Sequence, residues 1–235
     1  MEDGRPTVRH RRQLSGMNQS ENQLTPGLPA SSVIVLPPSL DDQSVQRVLA
    51  DVAARAADAP LIVNANHCVF ATPYALAALL AVGEDRVTKA TFIPPSNSDA
   101  ASYWARARFF RFAEELYDIR GKVPIARWAS ESDVLLEMTR IPADGTAEAA
   151  VQRVQQRVLA LLMHAAQTDA AVAAAQAESV ADACRNVVNV GAGSAWVIAQ
   201  VVHYRKQAGR RGVLVGVAGA AGTGSPFAFD GPIAP

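Results

Sequence analysis

Apolar and polar positions along this chain fall into two rhythms, one after the other. Residues 1–31 show neither, being rich in Gly, Pro, Ser, Asn and Gln with almost no periodic apolar content. Such a segment cannot bury enough surface to offset its ordering entropy, so a disordered tail is expected there. From Ser32 the pattern reads strand, helix, strand, helix, strand, helix. The strands are expected at Val33–Leu36, Leu61–Val63 and Ala90–Ile93, and the helices near 41–57, 73–82 and 98–117. The second helix has a clear start signal: Thr72 can accept backbone N–H bonds as its N-cap, and Pro73 at the first helical position wastes no donor. Leu76, Leu79 and Leu80 then face the sheet. Strands alternating with helices imply a small open sheet packed by helices.

A second unit begins after Gly121-Lys122-Val123-Pro124. A strand is expected at Val134–Thr139, and a long amphipathic helix over about 146–166 with Val151, Val154, Val158, Leu161 and Leu162 on its inner side. An Ala-rich helix follows over 169–190, ended by Gly191-Ala192-Gly193, which would supply a positive-φ cap. Strands at Ala195–Tyr204 and Val213–Ala218 flank a basic turn, Arg205–Arg211. The last stretch, Ser225–Pro235, carries no strand or helix pattern. The whole reads as α/β, with a tail at 1–31, a first domain at 32–120 and a second at 121–235.

Composition narrows the function classes. A length of 235 residues with 49% hydrophobic and 19% charged content suffices for two small cores. Twenty-two basic residues cancel twenty-two acidic ones, so no global field steers the chain toward nucleic acid or an anionic membrane. Arg9–Arg12 reads as solvated tail charge. No apolar run approaches the roughly 18 residues of a membrane span, and no apolar segment follows the basic start as in a secretory leader. Cys68 and Cys184 form no CxxC pair, which fits a reducing cytosol and two small buried apolar residues. A cytoplasmic protein is expected.

The candidate chemistry lies in Ala181–Asn189, where helical spacing puts Asp182, Asn186 and Asn189 on one face and apolar residues on the other. A carboxylate can accept a hydroxyl proton, and an amide oxygen one turn on can hold a hard cation such as Mg²⁺. The same spacing also describes any solvated helix face. A Gly-x-Gly, Gly222 and Gly224, follows the strand at 213–218. Read as a dinucleotide loop it lacks both a following helix and an acidic residue at the ribose spacing. His67 beside Cys68 reads as a structural loop without a supporting acid, and His164 as a lone core or boundary histidine. Trp104, Phe109, Phe110 and Phe112 read mainly as core, with a partner or interdomain surface as the minor reading because Arg106, Arg108 and Arg111 interleave with them.

Two resemblances cover nearly everything after the tail. Residues 32–117 resemble a STAS-like domain, the fold of anti-sigma-factor antagonists. The run Leu61-Ile62-Val63-Asn64-Ala65-Asn66, then Val69-Phe70-Ala71-Thr72-Pro73-Tyr74 and the helix after it, follows that family's apolar strand and Phe-x-Asp-Ser-Ser-Gly-Leu. Thr72 falls on the family's Asp, Pro73 on its first Ser and Tyr74 on the Ser that the family phosphorylates. A kinase site built for serine would not accept Tyr74. The stretch from Phe92 to Phe110 resembles the end of STAS-like domains fused to ATP-binding domains.

Residues 133–224 resemble the first half of a histidine-kinase-like ATPase domain, the fold shared with anti-sigma-factor serine kinases. By that resemblance Asp182 replaces the N-box Glu that acts as base, Asn186 matches the Mg²⁺-binding Asn, Val190 replaces the His, and Gly222 and Gly224 match the glycines of the next box. Asn189, on the same face, would border the nucleotide. Ala220 stands where the family's Asp recognises adenine; a site lacking that acceptor forfeits roughly 1–3 kcal/mol. No second phosphate loop or lid helix follows. The resemblance thus implies a small STAS-like sheet with helices followed by a partial α/β sandwich of the ATPase type, with ATP and Mg²⁺ as cofactors. The implied function is that of a bacterial-type signalling protein acting by partner switching, bound to a sigma-factor regulator or a STAS antagonist. The alternative is an ATP-dependent serine/threonine protein kinase. An open sheet edge in the second unit would favour a homodimer.

Overall fold

The structure, a computed structural model, describes residues 32–125, 134–191, 193–203, 211–219 and 224–230. The expected tail, the turn at 205–210, and Ala220 and Gly222 lie outside these residues. The first unit comprises β1 (Val33–Val35), β2 (Ser39–Leu40), α1 (Asp42–Ala53), β3 (Ile62–Asn64), β4 (Phe70–Ala71), α2 (Pro73–Asp85), β5 (Ala90–Ile93), α3 (Ser98–Arg106), α4 (Phe109–Leu116) and β6 (Tyr117–Ile119). Strands β1, β3, β5 and β6 form a parallel sheet in that order, with β2 and β4 paired beside it. The second unit comprises β7 (Leu135–Ile141), α5 (Ala147–Ala160), a π-helical turn (Leu161–Ala165), α6 (Ala170–Gly191), β8 (Ala195–His203), β9 (Arg211–Gly219) and β10 (Gly224–Asp230). Its sheet is antiparallel in the order β10-β9-β8-β7. The molecule is mixed α/β. Among the described residues no helix is long and apolar enough to cross a membrane.

Four expectations are corrected. The helix read across 98–117 is two helices, broken at Arg108 in the left-handed conformation (φ 60°). A continuous helix would turn Phe109 and Phe110 about 140° and 240° away from Trp104, so the three rings could not meet one core. The break sets Trp104 and Phe109 against Phe92 and edge-to-face with each other at 5.0 Å, with Phe110 packed on both. It also frees the Ala107 carbonyl, which accepts from Met138 N–H of β7 at 2.9 Å. The helix read across 146–166 ends in the π-helical turn, whose extra residue keeps Leu161, Leu162 and Ala165 inward. The stretch read as patternless holds β10, paired with β9 from Gly224↔Ala218 to Asp230↔Gly212. Its Pro226 looks like a breaker but is tolerated because β10 is an edge strand. Gly191 is helical rather than a left-handed cap.

Helix α2 sets the architecture. Thr72 caps it as expected, accepting from Ala75 N–H, with Pro73 opening the helix. Every residue from Pro73 to Gly83 is buried, so α2 lacks a polar face. A helix that is apolar all round must be covered all round. One side meets Ile34, Val63 and Phe92 of the parallel sheet, and the other meets Trp196, Ile198 and Ala218 of the antiparallel sheet, within one continuous core. The opposite face of the second sheet, with Val197, Val213, Val215 and Val217, packs on α5 and α6 in a separate core. The layers run parallel sheet, α2, antiparallel sheet, then α5 with α6.

Candidate functional site

The outer face of α6 carries the residues singled out by spacing. Val180, Cys184 and Val187 point to the sheet and are buried, which leaves Asp182, Asn186 and Asn189 exposed on the far side. Burial pushes the Cys184 thiol up to about 12, so it behaves as a small apolar residue, as expected. Asp182 does not stand alone. Its Oδ1 accepts from Arg185 Nη1 at 2.8 Å, and the same guanidinium reaches Glu178 Oε1 at 3.0 Å. Through Nε and Nη2 it also grips both oxygens of Glu148, on α5, at 3.2 and 3.1 Å. Arg185 is thus a clamp between α5 and α6 with three carboxylates around one cation.

This clamp holds the Glu148 carboxyl below its ordinary value, chiefly through the Arg185 hydrogen bonds. A carboxyl lowered on folding contributes stability that is present above its unfolded value and lost as pH falls through the lowered one. Acid should therefore loosen α5 from α6, beginning near the ordinary glutamate value of 4.5. Carbon-detected NMR titration should find Glu148 ionising below that value, and Arg185→Ala should return it to the ordinary range. An unchanged Glu148 in that variant would deny the clamp.

The glycine pair is half in view. Gly222 lies outside the described residues, while Gly224 opens β10 with φ +147°, where an added Cβ would stand 2.3 Å from the Val217 carbonyl oxygen. Its requirement for glycine thus has a local backbone cause. The pairings Ala195↔Gly219 and Gly224↔Ala218 place Gly219 and Gly224 at the end of the sheet where β8 begins. The topology therefore brings Asn189 and Gly224 to one end of the second unit, with Asp182 two turns back. Among the described residues no group of three or more His, Cys, Asp and Glu could hold a metal ion.

The matched positions of the first unit lie at the junction of the two sheets. Tyr74 is only 1% exposed. Its hydroxyl accepts from Gln46 Nε2 at 2.9 Å, and burial raises its pKa. Thr72 donates to Asp42 Oδ1 at 2.6 Å. The backbone at Pro73 and Tyr74 sits directly on Gly216 of β9, where an added Cβ would lie 2.3 Å from Tyr74 N.

A second contact, which spacing alone does not single out, lies at the other end of α2. Glu84 accepts from Trp196 Nε1 at 2.7 Å and pairs with Arg140, whose guanidinium lies 5.6 Å from the Trp196 ring centre. Phe112 meets Trp196 edge-to-face at 4.9 Å, and Arg108 pairs with Glu137 of β7. The aromatic run is thus mostly core, while Phe112 and Arg108 join the two units. The readable signal was the missing polar face of 73–83. His67 is exposed beside buried Cys68, whose thiol burial pushes up, and His164 is exposed on the π-helical turn rather than in a core.

Fold and site together define a mixed α/β protein in which one internal helix lies between a parallel and an antiparallel sheet. Compared with known proteins, the chain matches no family model, no curated protein and no solved structure.

Proposed function

We propose that this chain is a regulatory protein of the partner-switching type, joining a STAS-like unit (32–120) to a unit resembling the first half of a histidine-kinase-like ATP-binding fold (121–235). It acts by protein–protein contact with a sigma-factor regulator or STAS antagonist. The observation that carries this reading is the state of Asp182. Its carboxylate, the candidate base, is engaged by Arg185 at 2.8 Å. That pairing occupies the carboxylate that a base would need free. With Asp182 engaged and Ala220 standing where the family's adenine-binding Asp would be, the residues present do not suit a nucleotide triphosphate. The burial of Tyr74, 1% exposed with its hydroxyl bonded to Gln46, also supports a binding role, since a kinase needs an open hydroxyl.

Calorimetric titration with Mg²⁺·ATP should show no saturable binding up to millimolar nucleotide. Affinity capture with the intact chain from a lysate of its source should return a signalling or sigma-regulatory protein. Saturable ATP binding that disappears in Asn186→Ala would instead favour the serine/threonine kinase reading, with Asp182 as base and Asn186 on the metal.

A further inference from the structure

We draw no further inference here: the strongest candidate, the face of the parallel sheet turned away from α2, on which the strand register sets Val33, Val35 and Ile93, is an apolar face for which nothing in the structure shows what covers it.

Discussion

Gly216→Ala is expected to destabilise the protein by about 3 kcal/mol, at the upper end of overpacking costs, and to lower its thermal midpoint by roughly 10 °C. The cause is geometric. A Cβ at this position would lie 2.3 Å from Tyr74 N, 2.4 Å from Tyr74 Cα and 2.6 Å from the Pro73 carbonyl carbon. All three are backbone atoms at the start of α2, so no side chain can rotate aside. Relief requires α2 to lift from β9, and since α2 is buried between two sheets, lifting it from one drives it into the other. Gly145→Ala is the control, because an added Cβ there meets nothing within 4 Å. Differential scanning calorimetry on both variants checks the expectation. A Gly216→Ala protein as stable as the control would mean that α2 does not seat on the second sheet.

Trp196→Ala should cost about 3–5 kcal/mol, the range for removing a large buried aromatic. Trp196 is 1% exposed and joins several elements at once: Phe112 of α4 by its ring, Glu84 of α2 by its N–H, and Arg140 of β7 by its face. Trp196→Phe separates these roles. It keeps an aromatic ring near Phe112 and removes the indole donor while Arg140 still pairs with Glu84, so about 1–2 kcal/mol should be lost, the net worth of one hydrogen bond to a charged group. Urea denaturation followed by far-UV circular dichroism measures both losses. If the two variants were equally destabilised, packing of the ring would contribute nothing beyond its hydrogen bond.

Gly216 seats the start of α2 and Trp196 holds its end, so the two variants loosen opposite ends of the same helix.

The sequence by itself determined the local elements, because periodicity, capping and strand content are written in neighbouring residues. Thr72 and Pro73 start α2 where the capping pattern put them, and β1, β3, β5, β7, β8 and β9 all lie on apolar runs that read as strands. It also determined that Asp182, Asn186 and Asn189 share one helix face, since that follows from 3.6 residues per turn alone. It did not determine what meets that face. Arg185 is an ordinary helix residue in sequence, and only the packing of α5 beside α6 brings Glu148 from 37 residues away to complete the clamp. Strand β10 was hidden for a similar reason: its residues carry no apolar alternation, and only pairing with β9 supplies the hydrogen bonds that make them a strand. The break at Arg108 was decided by the need to bring three rings to one core, a demand that no local window contains. The buried state of Tyr74 came from tertiary structure too. An all-apolar helix announces that it must be covered on every side, but which surface covers it depends on contacts between Pro73 and Gly216, which are distant in the chain and close only once both sheets have formed.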